Sequence, residues 1–147
     1  MPALHIPRPV YDALRVHAEQ AYPRECCGVL LGQAAPHGWL VYAAVHATNI
    51  RADAAHNRYA IAPTELVRIL HQARARQLEI AGFYHSHPNH SAQWSAADLA
   101  EAHWLGCCYV ITSVALGRAA DTAAWLLAGA GEEDKHFVQL PLHIATE

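Results

Sequence analysis

The chain has no excess of charge of either sign. Charged residues make up 16% of its 147 positions, and the net charge is -3 with neutral histidines. The basic residues are scattered, with Arg68, Arg74 and Arg76 the densest group, so the basic stripe of a nucleic-acid binder is missing. Long apolar runs are missing too: no window reaches the roughly 18 residues that a membrane helix needs. The opening stretch MPALHIPRPVYDALRV lacks the apolar segment of a secretion signal. No nucleic-acid or membrane partner is therefore expected, and a reducing, cytoplasmic setting is.

Repeats, low-complexity segments and linkers are also absent. With 53% hydrophobic residues the composition is too apolar for disorder, and the length suits one domain over residues 1–147. Spaced cysteine pairs are lacking as well, because the four cysteines fall in two adjacent pairs, Cys26-Cys27 and Cys107-Cys108. Neighbours on a strand point to opposite faces, which suits neither a shared metal nor an internal disulfide. Buried, reduced cysteine is the expectation; a bridge between the pairs, or thiol chemistry, is the alternative.

The residues present alternate between helical and strand-like stretches. VYDALRVHAEQA (10–21) repeats apolar residues near helical spacing and is ended by Tyr22-Pro23. CCGVLLG (26–32) and GWLVYAAVHAT (38–48) form strands paired as a hairpin, and residues 49–58 a polar surface loop. Pro63 opens an amphipathic helix, PTELVRILHQARARQ, with Leu66, Ile69, Leu70 and Ala73 on one face. EIAGFYHSH (79–87) is a strand, SAADLAEAHW (95–104) a short helix, and CCYVITSV and TAAWLLAG two further strands. KHFVQLPLHI (135–144) is expected as a single last strand. Without strict βαβ alternation this pattern implies an α+β fold, a mixed α/β sandwich.

Histidine is the outlier, with twelve residues. That number makes the net charge sensitive near pH 6 to 7 and invites accidental motifs. One cluster stands apart. His85 and His87, two positions apart on an extended segment, share a face roughly 7 Å apart along the chain. Pro88 breaks the strand, and after a short loop Asp98, on the first turn of a helix, returns a carboxylate to the same point. Two neutral imidazoles and one carboxylate suit a catalytic zinc with a fourth position open to water. Ser95 and Asp98 also have a structural use, since S-x-x-D before a helix is a capping-box-like start.

These residues resemble the JAMM (MPN+) metalloprotease family, whose signature is an upstream glutamate followed by H-[ST]-H-P-x6-S-x2-D. The chain carries His85-Ser86-His87-Pro88, then Ser95 and Asp98, while PRECCG matches the family's P-x-E-x-C-G with Glu25 as the glutamate. The likeness runs from the first helix to about Val114. It implies an MPN/JAB-like fold: a curved mixed sheet flanked by helices, with a cytidine-deaminase-like layout. It implies one zinc ion per chain held by His85, His87 and Asp98. Glu25 is then the general base that takes a proton from the zinc-bound water and passes it to the leaving amine. Ser95 is implied as the hydrogen-bond partner of the oxyanion or the water.

The compact bacterial members, including the CysO-cysteine peptidase type, are the most similar in context. They imply a metallopeptidase or isopeptidase acting at the Gly-Gly tail of a small ubiquitin-fold sulfur-carrier protein, for instance releasing an attached cysteine. Departures lie around the site. Trp94 stands where a proline is common, WLG (104–106) replaces a P-G turn, and His90 adds an imidazole that offers an alternative ligand. The alternative function is a non-catalytic MPN scaffold that binds protein partners, although such members typically lose ligands that this chain keeps. A zinc deaminase is disfavoured, because H-x-E with P-C-x-x-C is missing. Oligomeric state is left open, with a homodimer compatible.

Overall fold

Proline placement shapes the first helix. Pro7 is extended and caps α1 (Arg8–Ala21), and Pro9 sits in the first turn, where a missing N–H removes nothing. The computed structural model describes residues 2–51 and 58–146, so positions 52–57 of the expected surface loop lie outside the described residues. The remaining elements are β1 (Ala3–Ile6), β2 (Cys27–Ala35), β3 (Gly38–Ala47), α2 (Pro63–Ala75), β4 (Glu79–Pro88), α3 (Ala96–Glu101), β5 (Cys108–Ala115), β6 (Arg118–Ala128), β7 (His136–Leu140) and β8 (Leu142–Ile144).

Among the described residues eight strands form one sheet in the order β7-β6-β5-β4-β2-β3-β1-β8. Strands β2 and β3 are the expected antiparallel hairpin, and β4 lies between β2, antiparallel, and β5, parallel. β4 is buried from Ile80 to Pro88, the mark of a strand covered on both faces. One core packs Leu4, Leu14, Ala18, Leu30, Tyr84 and Val110 beneath α1. The other packs Val29, Ile69, Ala73, Phe83, Tyr109 and Leu127 beneath α2. Burying Leu14 and Ile69 stabilises the helix–sheet contacts by roughly 1.5–3 kcal/mol each. The α+β reading, a curved mixed sheet flanked by helices, holds.

Three details differ from the sequence expectations. β1 was not anticipated, because four residues between Met1-Pro2 and Pro7 carry too little periodicity; it pairs in parallel with both β3 and β8. The expected last strand is two strands. Pro141 offers no N–H to a ladder, and it separates β7, paired with β6, from β8, paired with β1. Strands one residue apart in sequence thus occupy opposite ends of the sheet order, which requires the sheet to curl almost closed. α3 is shorter than expected and ends at Glu101, with Ala102 extended. Lys135 Nζ bonds the carbonyls of Ala100 and Ala102, and the freed chain turns Trp104 edge-on to Phe83.

All four cysteines are free and buried, as expected. Burial pushes the Cys26 thiol up to about 11 and Cys108 to about 12, so neither is a thiolate at neutral pH. Among the described residues no helix is long and apolar enough to cross a membrane.

Candidate metal centre and its surroundings

Strand alternation at the end of β4 sends Phe83, His85 and His87 to one face and Tyr84 and Ser86 to the other. Tyr84 lies over Gly28 so closely that a Cβ there would clash with its ring. That contact gives the glycine of PRECCG a packing reason. Tyr84 also reaches α1, with its hydroxyl 2.8 Å from His17 Nδ1. The strand that carries the histidines is therefore held from behind.

On the open side, Nε2 of His85 and Nε2 of His87 approach to 3.2 Å. The two oxygens of Asp98 lie 3.2 Å from His85 Nε2 and 3.0 Å from His87 Nε2. Asp98 arrives at the third position of α3 through a capping box: Ser95 Oγ accepts from the Asp98 N–H, and Asp98 Oδ2 accepts from the Ser95 N–H. Among the described residues these three form a group able to hold a metal ion, and His90 is not part of it.

The proton arrangement supports a cation there. His87 Nδ1 is 2.8 Å from the Ser91 carbonyl, which can only accept, so Nδ1 carries the hydrogen. Its Nε2 is then a lone-pair donor in the neutral ring. Burial pushes His85 below the ordinary histidine value. Burial opposes charge on His87 too, but its bonds to Asp98 and Ser91 outweigh that and raise it. Asp98, although desolvated, is held well below the usual carboxylate range by the two imidazoles. Protons alone serve this geometry poorly, because donation by both rings to Asp98 sets two N–H groups head to head at 3.2 Å. One cation among three lone-pair atoms meets all of them, and two nitrogens with one carboxylate suit a divalent transition ion.

Glu25 stands beside this group on the segment leading into β2. It is 5% exposed, and its Oε1 is buried without a hydrogen-bond partner among the described residues. Burial pushes its carboxyl up to about 8, and Asp98 and Glu101 push the same way against His87 and Arg58. Its backbone is fixed from two sides. Ser86 Oγ accepts from the Cys26 N–H at 2.8 Å, and Asn49 Nδ2 donates to the Glu25 carbonyl at 3.1 Å.

A cleft of about 350 Å³ brings Glu25 and His87 together with His90, Ser91, Gln93, Trp94 and Ser95. The loop bearing His90 and Trp94 turns at Asn89, which has φ 59°, and is pinned by the Trp125 indole N–H to the Ala92 carbonyl. Both residues thus border the cleft. Ser95 Oγ accepts from the Asp98 N–H, which leaves its own hydrogen free to donate into the cleft. A second cavity, about 300 Å³, is lined by Asp98 and has aromatic walls of Tyr59, Phe83, Trp104 and Tyr109.

Sequence reasoning missed Tyr59 and Asn49. The Tyr59 ring stacks on His85 with centroids 4.5 Å apart and planes 25° from parallel. Asn49 accepts from the N–H groups of Arg51 and Ala60 and donates to the carbonyls of Glu25 and Arg58. Neither position belongs to a periodic pattern, so no local signal singles it out.

A family model described as prokaryotic homologs of the JAB domain matches residues 7–128. The chain is 35% identical over 106 residues to a desampylase of Haloferax volcanii, covering 69% of this chain and 74% of that protein. It is 28% identical over 101 residues to a Thermus thermophilus protein described as "Probable TtuB-protein conjugate cleaving protease", covering 69% of this chain and 64% of that one. The solution structure of a Salinibacter ruber protein is similar with a TM-score of 0.72 and 34% identity, over 97% of this chain and 92% of that one. A Desulfitobacterium hafniense protein shares the fold at a TM-score of 0.82 with 21% identity, over 98% and 94% of the two chains.

Proposed function

Because the chain belongs to the family of prokaryotic homologs of the JAB domain, we propose that it is a zinc-dependent peptidase or isopeptidase. Its substrate is the amide bond at the C-terminal Gly-Gly tail of a ubiquitin-like carrier protein, and residues 1–147 work as one domain. The observation that carries this reading is the meeting of His85 Nε2, His87 Nε2 and the Asp98 carboxylate within 3.2 Å beside a buried glutamate whose Oε1 has no hydrogen-bond partner among the described residues.

His85, His87 and Asp98 would hold the zinc ion, one per chain. A bound ion supplies Lewis acidity, polarising the scissile carbonyl and acidifying water. The chain's own groups do the rest. Glu25, pushed up to about 8 in the protein by burial, ionises more readily beside a divalent charge. It then takes the proton of the attacking water and delivers it to the departing amine. Ser95 turns its free hydroxyl hydrogen to the oxyanion that forms on the carbonyl. The cleft lined by His90, Gln93 and Trp94 lies on the side of Glu25, where the amine departs. The relatives named as a desampylase and as a cleaving protease of TtuB–protein conjugates support a protein conjugate as the substrate.

The test is a ubiquitin-like carrier ending in Gly-Gly, joined through that terminus to cysteine or to a protein lysine. Mass spectrometry after incubation should show the free carrier. A chelator should stop the reaction and zinc should restore it, whereas thiol alkylation of the native protein should leave it intact. Cleavage that survives the chelator and fails on alkylation would replace the metal with a cysteine nucleophile.

A further inference from the structure

The two histidines of the cluster are supported differently. His87 has its second ring nitrogen fixed by the Ser91 carbonyl at 2.8 Å. Metal-binding histidines commonly carry such a partner, which sets the ring's tautomer and orientation. His85 does not: its Nδ1 is buried and makes no hydrogen bond among the described residues. What meets this imidazole instead is the flat face of Tyr59, 4.5 Å away between centroids and 25° from parallel. The contact is made by the ring face of Tyr59.

Tyr59 is itself held. Asn49 donates to the carbonyl of Arg58 at 3.0 Å and accepts from the N–H of Ala60 at 3.2 Å, gripping both chain neighbours of Tyr59. The Ile50 N–H adds a bond to the Ala60 carbonyl at 3.0 Å. The same Asn49 amide donates to the Glu25 carbonyl at 3.1 Å. One side chain therefore ties the segment bearing the buried glutamate to the segment bearing the aromatic ring over His85.

We propose that Tyr59 is a positioning residue for His85, its ring holding the imidazole with Nε2 turned to His87 and Asp98, and with Asn49 fixing Tyr59 in place. The inference rests on the metal reading of the site. A stacked ring restricts rotation of His85 about its Cβ–Cγ bond, the freedom that a hydrogen bond at Nδ1 removes in His87. The contact depends on a flat aromatic face and not on the phenol. Phenylalanine should therefore serve and an aliphatic side chain should not.

The test is cobalt(II) binding to the metal-stripped full chain, read by competition with a chelating dye and by the visible absorption of the bound ion. Wild type should bind one cobalt per chain. Tyr59→Phe should bind within about threefold of wild type with the same absorption bands. Tyr59→Leu should bind about 10- to 100-fold more weakly, the range seen when a ligand's supporting group is lost, with shifted bands. Asn49→Ala, which leaves the Tyr59 side chain present but frees its neighbours, should weaken binding in the same direction, and it carries the test if Tyr59→Leu does not fold. Wild-type affinity in both Tyr59→Leu and Asn49→Ala would overturn the inference, as would a Tyr59→Phe as weak as the leucine variant. No cobalt bound by wild type would instead overturn the metal reading itself.

Discussion

The hydroxyl oxygen of Ser86 accepts a hydrogen bond from the backbone N–H of Cys26 at 2.8 Å. Ser86 lies between His85 and His87, and Cys26 follows Glu25, so this bond fastens the strand of the two histidines to the segment of the glutamate. Both partners are buried, Ser86 at 0% exposure and Cys26 at 3%. Ser86→Ala would leave a buried N–H without an acceptor, which costs about 1–3 kcal/mol. Denaturant unfolding should show that loss, and hydrolysis should fall further than metal binding does. Ser86→Thr keeps the acceptor and should recover most of the activity.

Glu25→Gln would remove the proposed proton shuttle while keeping shape and burial. Metal content should stay at the wild-type value, and turnover should drop by about 10²–10⁴-fold, the usual contribution of a positioned acid–base group. Elemental analysis and turnover on the same preparation check both halves. Near-normal turnover would remove Glu25 from the chemistry.

His87→Ala takes one imidazole from the group of three. Tightly bound metal should fall to near zero after dialysis, and cleavage should be lost with it. An unchanged ratio of metal to protein would mean that the ion sits elsewhere.

His17 provides a pH dependence away from the centre. It stacks on His46 at 3.9 Å and meets the Tyr84 hydroxyl, and burial, then His46, pushes it down to about 4. A depressed folded value means that the fold prefers the neutral ring. Its contribution is present above about pH 6.5 and is lost as the pH falls towards 4. The urea midpoint of wild type should drop more between pH 7.5 and 4.5 than that of His17→Gln, which cannot charge. Equal drops would show that His17 titrates normally.

The positions of His85, His87 and Asp98 illustrate what a local pattern can carry. Spacing along a strand places two imidazoles on one face, and a helix start returns a carboxylate, because strand period and capping chemistry act over a few residues. α2 was legible for the same reason, since its apolar face repeats at helical spacing. Other features were hidden because they depend on distant partners. β1 is a strand only because β3 and β8 flank it, and the break at Pro141 sends β8 across the sheet to that neighbour. Tyr59 and Asn49 lie outside any periodic pattern, and their contacts with His85 and Glu25 cross 26 and 24 positions of sequence.

By itself the sequence determined which side chains could make a metal group and which helix and strands would present them. Those choices follow from short-range geometry, legible at spacings of two, three and four residues. Tertiary structure decided the rest: that Glu25, 60 positions upstream of His85, is buried beside the group, and that Ser86 and Asn49 hold its backbone there. It also decided that Tyr59 stacks on His85. The physical reason is that burial and long-range hydrogen bonds exist only once the sheet has curled and brought remote segments into contact.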